Sequence, residues 1–348
     1  MRCAAGRSEP AGRQTLDCRP MIDRAFARSI ADKPEEFIYR PNMDPLLDLI
    51  NLLRPRATLW GGIDGVGRWG VSFRPRNDLL FCWLEQGECL LTQPSPMPPI
   101  RLVPSDFLLI RATVPFALTT DAAIEPVDSE TVTAATNDPR IRIGSGGGPI
   151  STLHAGKFVF DSANEGLLVE LLPPLVHIPA GQTSSSRVRA LLTMNEDESR
   201  CPRPGGDYVV GRLMELVLVE ILRSGATGEI SQQRRGLVAG LRDPVTARSL
   251  SAMHADIAHD WTVSALARLC GVSRSKFATR FRKTVGLAPI EYLQRWRIAR
   301  AKDELRLGSK SVGEIALAVG FQSSSAFSTA FTRIVGSSPR QFASSLRT

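Results

Sequence analysis

Leu266-Ala267-Arg268-Leu269-Cys270-Gly271-Val272-Ser273-Arg274-Ser275-Lys276-Phe277-Ala278-Thr279-Arg280-Phe281, followed by Gly286, Pro289 and Tyr292, comes back later in the chain. The second copy is Ile315-Ala316-Leu317-Ala318-Val319-Gly320-Phe321-Gln322-Ser323-Ser324-Ser325-Ala326-Phe327-Ser328-Thr329-Ala330-Phe331, followed by Gly336, Pro339 and Phe342. Ala267 and Gly271 recur 49 positions on, whereas Phe277, Phe281, Gly286, Pro289 and the aromatic at 292 recur 50 positions on. The second copy therefore has one more residue in its turn. Each copy reads as a short helix carrying Leu or Ile and Ala, stopped by a glycine that can take the left-handed conformation. Ser273 and Ser323 then follow as N-caps of a second helix. That helix places Phe277 and Phe281, or Phe327 and Phe331, at i, i+4, so both rings share one face and pin it against the first helix. The other face is small and polar: Ser275, Ala278 and Thr279 in one copy, Ser324, Ser325, Ser328 and Thr329 in the other. A helix, a tight glycine turn and a second helix with one free face form a helix-turn-helix, whose free face fits a DNA major groove.

The surroundings agree. Ser311-Val312-Gly313-Glu314 forms a capping box at the start of the second unit, and Thr262 caps the opening helix of the first without an acidic partner. Residues 289–307, rich in Ala, Leu, Arg and Lys, read as one continuous helix between the copies. At about 1.5 Å per residue it spans roughly 25 Å. Such a spacer is stiff enough to hold two reading helices close to one DNA turn, about 34 Å, apart. Residues 261–348 carry 15 Lys and Arg against four acids, a net +11, while residues 1–260 carry −3. The basic excess thus belongs to the C-terminal quarter, the footprint of a phosphate-binding module joined to a part that does not touch nucleic acid. A helical bundle that uses the repeat for protein contacts is the competing reading, and the one-sided charge argues against it.

The front of the chain is organised differently. Residues 1–42 show no sustained periodicity and are expected to be a disordered extension, with a short helix near 23–30. Met43 is a candidate translation start, and Asp44 is placed to cap a helix with Pro45 in its first turn. Short apolar runs at 69–73, 79–84, 89–91, 100–103, 107–110 and 116–118, punctuated by Gly and Pro, predict a small antiparallel sandwich or barrel between Thr58 and Thr120. The glycine-rich stretch 144–149 lacks the form of a phosphate-binding loop and reads as a flexible connection. Residues 157–160 resume strand character, and 165–172 read as a helix stopped by Pro173-Pro174. Residues 183–206, with Ser, acidic and Pro-Gly clusters, read as a linker. Residues 208–223 form an amphipathic helix with Leu213, Leu216, Val217, Leu218 and Ile221 apolar, packing on its own domain in preference to a second subunit. The six cysteines are scattered, without zinc-ligand spacing, and are expected to be free thiols. No apolar stretch is long enough to span a bilayer and no leader-like succession opens the chain, so a cytoplasmic protein without a membrane partner is expected.

The second unit, from Ser311-Val312-Gly313-Glu314-Ile315-Ala316 through Val319-Gly320-Phe321, Ala326-Phe327-Ser328, Phe331, Gly336 and Ser338-Pro339, resembles the signature of the AraC/XylS family of transcription regulators. Asp243-Pro244, Met253-His254 and Trp261-Thr262-Val263 are similar to the usual approach to that domain. Phe158-Val159-Phe160-Asp161 and Leu171-Leu172-Pro173-Pro174 resemble the cupin-type N-terminal domain of one branch. The resemblance covers nearly everything after residue 42. It implies an α+β fold: a cupin-like antiparallel β barrel or sandwich with flanking helices, then an all-α domain of two helix-turn-helix units joined by a long helix. The expected divisions are an extension at 1–42, a regulatory domain at 43–182, a linker and amphipathic helix at 183–244, and a DNA-binding domain at 245–348.

By the same resemblance, base edges are approached from Ser275, Ala278, Thr279, Ser324, Ser325, Ser328 and Thr329. Backbone phosphates are met by Arg274, Lys276, Arg280, Arg282, Lys283, Arg295, Arg297, Arg333 and Arg340. Relatives usually carry arginine where this chain has Thr279 and Thr329. An arginine grips guanine with two hydrogen bonds, worth about 1–3 kcal/mol of discrimination, and a threonine cannot. Site choice is therefore expected to lean on hydroxyl and methyl contacts and on DNA shape. The implied partners are double-stranded DNA and RNA polymerase, with a small-molecule effector and a homodimer as further candidates.

Cupin folds often hold a metal through histidines, but residues 58–120 contain none. His154 and His177 stand alone after that stretch, and Phe116 lies where such proteins often have a histidine. No catalytic residue, metal site or cofactor is expected, since neither a ligand set nor a Ser/His/Asp or Cys/His arrangement can be singled out. Trp60, Trp69, Phe73 and Trp83 read as core in preference to pocket lining. Three functions stay open: a ligand-responsive transcription factor, a DNA-binding factor whose front domain only dimerises, and a cupin enzyme with a basic helical appendage.

Overall fold

The computed structural model describes residues 44–94, 97–134, 140–160, 169–201, 203–224 and 235–346. The expectations for residues 1–42 and for a start at Met43 lie outside the described residues. Asp44 is the N-cap of helix α1 (Pro45–Leu53): its carboxylate accepts from the Leu46 amide, and Pro45 sits in the first turn. Strands β1 (Arg56–Val66), β2 (Gly70–Phe73), β3 (Leu79–Gln86), β4 (Cys89–Thr92), β5 (Ile100–Leu102), β6 (Phe107–Arg111), β7 (Phe116–Thr119) and β8 (Val127–Asp128) follow. After the short helix α2 (Ser129–Ala134) come β9 (Arg140–Gly144), β10 (Ile150–Val159) and β11 (Leu175–Ile178).

These strands make two sheets, ordered β11-β6-β3-β10-β1-β9 and β5-β4-β7-β2-β8. Most neighbours are antiparallel; β9 runs parallel to β1 and β8 parallel to β2. Alternation along β3 explains the double burial of the run 79–84. Leu80, Cys82 and Leu84 join Val71, Leu91 and Leu118 in the core between the sheets. Phe81 turns the other way and meets the rings of Phe107 and Phe158 on the outer face. Strand β1 escapes a reading by alternation because glycine occupies positions where neighbours press close. A Cβ on Gly62 would lie 2.0 Å from the Leu153 carbonyl oxygen, and one on Gly65 2.2 Å from the Trp69 indole nitrogen. The stretch 144–149 connects β9 to β10, so the sheet continues well past Thr120.

The linker expected at 183–206 is overturned. Residues Thr183–Arg200 form an 18-residue helix, α3, packed along α4 (Gly206–Ser224). Its buried positions Ser185, Val188, Leu192, Asn195 and Glu198 keep helical spacing, but only two are aliphatic, so an apolar count misses the stripe. On α4 the buried side is Met214, Val217, Leu218, Ile221 and Leu222, while Leu216, expected on the apolar face, is exposed. Of the helix expected at 165–172, only the single 3-10 turn Val169–Leu171 falls among the described residues. It ends before Pro173, whose ring cannot continue a helix.

The remainder is helical: α5 (Leu237–Arg242), α6 (Pro244–Ala255), α7 (Val263–Leu269), α8 (Arg274–Val285), α9 (Pro289–Leu307), α10 (Val312–Ala318), α11 (Ser324–Val335) and α12 (Pro339–Ser345). Helix α9 is the continuous spacer read from the sequence. Its Ile298 and Ala301 pack with Ile315, Ala316, Phe327 and Phe331 in the core of the second unit. Among the described residues no helix is long and apolar enough to cross a membrane.

Candidate nucleic-acid interface

Each unit is built around its phenylalanine pair. In the first, Ser273 caps α8 by accepting from the Lys276 amide, and Gly286, at φ +93°, closes the helix with its amide on the Arg282 carbonyl. Phe277 and Phe281 are fully buried, with ring centroids 5.8 Å apart, and Tyr292 meets Phe281 edge-on at 5.8 Å. In the second, Ser323 accepts from the Ala326 amide and Gly336, at φ +85°, ends α11. Phe327 and Phe331 are again fully buried, flanked by Phe321 at 5.4 Å and Phe342 at 5.6 Å. The capping box of α10 is complete: the Ser311 hydroxyl accepts from the Glu314 amide, and the Glu314 carboxylate accepts from the Ser311 amide.

With one face fixed by aromatics, the opposite faces of α8 and α11 stay open. Ser275 and Thr279 are exposed and Ala278 is half-buried; Ser324, Ser325 and Thr329 are exposed and Ser328 is half-buried. The Thr329 hydroxyl donates to the Ser325 carbonyl at 3.0 Å, which holds its rotamer and leaves its lone pairs outward. Beside α8 an open recess is lined by Ser275, Lys276, Thr279, Arg280 and Lys283, with Asp243 at its edge.

The cations divide into two groups. Arg274, Lys276, Arg282 and Lys283 are exposed on α8, and among the described residues no carboxylate pairs with them. Arg340 is exposed on α12, Arg333 donates to the Gln294 side chain at 3.2 Å, and Arg295 pairs with Glu291 at 3.2 Å. Arg297 must be removed from the phosphate set. Its Nε, Nη1 and Nη2 donate to the carbonyls of Ile257, Gly320 and His259 at 2.9, 3.1 and 2.7 Å, and burial lowers its pKa. It ties the loop ahead of α7 to the turn of the second unit. The Nε of Arg280 is likewise engaged, by both carboxylate oxygens of Asp243 at 3.0 and 2.7 Å. Burial pushes Asp243 up, but the Thr246 amide and the Arg280 guanidinium outweigh it and hold the group below the usual carboxylate value.

Among its described residues the front domain brings no comparable set of groups together. His154 and His177 do not stand alone as the sequence suggested, because the six-stranded sheet extends past Thr120 to include both. His154 Nε2 lies 2.6 Å from Glu85, its ring stacked on Trp83, and His177 Nε2 lies 3.0 Å from Asp106. Asp106 also accepts from the Ala180 and Val103 amides. Among the described residues no three His, Cys, Asp or Glu side chains converge as a metal site would require. Trp69 and Phe73 are buried in the core, Trp83 lies on the outer face of its sheet, and the side chain of Trp60 lies outside the described residues. Between the sheets is one small apolar void of about 30 Å³, bounded by Phe73, Cys82, Ile110, Phe116, Ile141 and Leu153. Burial pushes the Cys82 thiol up to about 12.

Sequence reasoning missed one constellation. His254 on α6 is fully buried, with Nδ1 2.8 Å from Asp48 of α1 and Nε2 2.7 Å from the Tyr292 hydroxyl. The three residues are too far apart in the chain for any local pattern to join them.

Comparison with known proteins follows the same division. A cupin family model matches residues 44–226 and a helix-turn-helix domain model matches residues 266–345. A protein of Streptomyces antibioticus named as an AraC-like transcription regulator is 38% identical over 303 residues, 86% of this chain and 98% of its own. One of Streptomyces lividans with the same name is 37% identical over the same share of both chains. Among solved structures, an AraC-type transcriptional regulator from Chromobacterium violaceum is 30% identical over 30% of this chain and 94% of its own, with a TM-score of 0.29. With a cupin match over more than half its length and relatives aligned almost end to end, the chain belongs to the AraC-like transcription regulators, a cupin domain preceding a helix-turn-helix DNA-binding domain.

Proposed function

We propose that this regulator recognises a two-part duplex site by laying α8 and α11 in major-groove segments on one face of the DNA. The observation that carries this reading is the matched pair of second helices, each with two buried phenylalanines behind and a free hydroxyl-bearing face in front, joined by the single helix α9. Ser275, Ala278 and Thr279 on α8, and Ser324, Ser325, Ser328 and Thr329 on α11, approach base edges. Arg274, Lys276, Arg282, Lys283, Arg295, Arg333 and Arg340, with the outer nitrogens of Arg280, meet phosphates. Hydroxyls and methyls without a bidentate guanidinium favour thymine-methyl contact and shape readout over guanine recognition. Selection of bound duplexes from a random library, followed by footprinting, tests the reading. Two protected boxes about one turn apart are expected. Thr329→Ala leaves the fold intact and changes base preference in one box only, and unchanged preference removes Thr329 from the reading set.

Residues 44–224 act as the regulatory part and 235–346 as the DNA-binding part, working in the cytoplasm with RNA polymerase at the promoter. The front domain senses a small molecule, and the apolar interior of the barrel is its candidate site. The void there has room for a water-sized group only, so an effector has to displace side chains as it enters. A rise in melting temperature with an effector library tests this. A second role, self-association, is favoured by exposed apolar groups on the α3–α4 hairpin: Met194, Tyr208, Val209 and Leu216. Sedimentation of the native chain and of Leu216→Glu tests it, with a dimer expected only for the former.

A further inference from the structure

Helix α1 opens the front domain, yet much of what it touches belongs to the DNA-binding part. Leu46, Leu49, Ile50, Leu52 and Leu53 are all buried, a wider arc than the single stripe a helix needs to cover its own domain. Its neighbours are α4 on the front side of the chain and α5, α6 and α9 beyond it. Two polar contacts lead from α1 into the DNA-binding part. Asp48 holds His254, and His254 holds Tyr292, in the first turn of α9. Immediately after the last core residue of α1, Leu53, Arg54 pairs with Asp303 near the far end of α9, at 2.9 Å.

The buried network has a determined polarity. Burial favours the neutral imidazole, so with Nδ1 donating to the Asp48 carboxylate its Nε2 accepts from the Tyr292 hydroxyl. The imidazole ring also packs on Trp296 at 4.3 Å. Tyr292 in turn meets Phe281, one of the two rings that fix α8. A continuous chain of packed groups therefore runs from Asp48 through His254, Tyr292 and Phe281 to the helix proposed to read DNA.

We propose that α1 is an interdomain clasp: Asp48 is a positioning residue through which the front domain, acting on His254 and Tyr292, fixes the first reading unit. Resting on the DNA-binding reading, the clasp makes the two parts a thermodynamic unit, so that DNA bound at α8 stabilises α1 and loss of α1's grip loosens α8's support. The acceptor at position 48 is what matters. Asp48→Asn keeps an oxygen there for the Nδ1 proton, and Asp48→Ala leaves a buried N–H without a partner.

Hydrogen exchange of the full-length chain tests this, with and without a 40-base-pair duplex selected by the protein from a random library. In the native chain, DNA is expected to slow exchange in α1 as well as in α8. In Asp48→Ala, amides of α6 and of the first turns of α9 exchange about tenfold faster or more, and protection by DNA no longer reaches α1. Asp48→Asn restores both. Tyr292→Phe, which removes one oxygen and little packing, uncouples α1 from DNA in the same way and covers the case in which Asp48→Ala fails to fold. The clasp is overturned if α1 gains no protection on DNA binding, if Asn fails to restore what Ala loses, or if Tyr292→Phe leaves the coupling intact. Failure to bind any duplex overturns the DNA-binding reading instead, while the exchange rates without DNA still report whether Asp48 supports α9.

Discussion

Replacing Arg274, Lys276, Arg282 and Lys283 together by alanine removes the exposed, carboxylate-free cations of α8 while sparing Ser273, Phe277 and Phe281, which hold the helix in place. Alanine is a good helix former, so α8 itself is not weakened. For duplex DNA each phosphate neutralised contributes about 0.9 to the slope of log affinity against log salt. Four contacts therefore contribute about 3.6, which over a fourfold rise from about 50 to 200 mM salt is a loss of roughly 150-fold in affinity. The native protein should lose that much more across the range than the quadruple variant. Replacing Arg333 and Arg340, two cations of the second unit, removes at most about 1.8 from the slope by the same rule. Fluorescence anisotropy of a labelled selected duplex, titrated at stepped potassium chloride concentrations, measures all three slopes. A change below about one for the quadruple variant, or equal changes for the two sets, refutes the assignment of α8 as the electrostatic anchor.

Other expectations follow from the same geometry. Arg297→Gln leaves the salt slope unchanged but costs about 2 kcal/mol or more of stability, because three backbone carbonyls lose a charged donor; urea melts and the slope together check it. Phe331→Ala opens a cavity in a fully buried site, costs about 3–5 kcal/mol and unfolds the second unit while α8 persists, as hydrogen exchange will show. Stability should also fall in mild acid. Burial pushes the His254 pKa below its ordinary value of 6.5, more than the Asp48 carboxylate pulls it up. The unfolded chain then binds the extra proton first, so the contribution is whole above pH 6.5 and is lost as pH falls towards the lowered folded-state pKa. The slope is at most about 1.4 kcal/mol per pH unit. Melts at pH 7.5, 6.5 and 5.5 measure it, and a His254→Gln variant that keeps the same slope assigns the effect elsewhere.

What was legible in the sequence was what local chemistry decides. Gly271 and Gly320 as helix stops, Ser273, Ser311 and Ser323 as caps, and the i, i+4 phenylalanines are decided within a few residues. The structure shows them where the repeat places them, with φ of +67° and +84° at the two turn glycines. The strands between 69 and 118 were legible for the same reason, through apolar runs and turn residues. The missing strand β1 and the mistaken linker share a cause: in both, a neighbour's shape outweighs propensity. Gly62 and Gly65 lie in a strand because Leu153 and Trp69 press against them, and the polar Ser185 and Glu198 are buried in a helix because the Ser105 carbonyl covers one and the start of α4 the other. Tertiary context overrides local preference at such places.

The candidate site divides along the same line. That α8 and α11 present small hydroxyl faces can be read from periodicity, but which arginines are free to reach a phosphate cannot. Arg297 lies among basic residues on α9, and nothing near it in sequence tells that Ile257, His259 and Gly320 fold around it as acceptors. Arg280 is shared with Asp243, 37 residues earlier. A charge total therefore overstates the surface available to DNA, since a guanidinium that gives three of its five N–H groups to backbone carbonyls adds to the field with little left to offer a phosphate. The same reasoning makes the two units unequal. With Arg297 committed to holding the turn of the second unit, that unit keeps few cations of its own, and in the proposed binding mode its serines and threonines meet the groove only if α9 carries them there from an anchor at α8. The rigidity of α9, and whatever fixes its first turn, then governs the second contact as much as any base-reading side chain does.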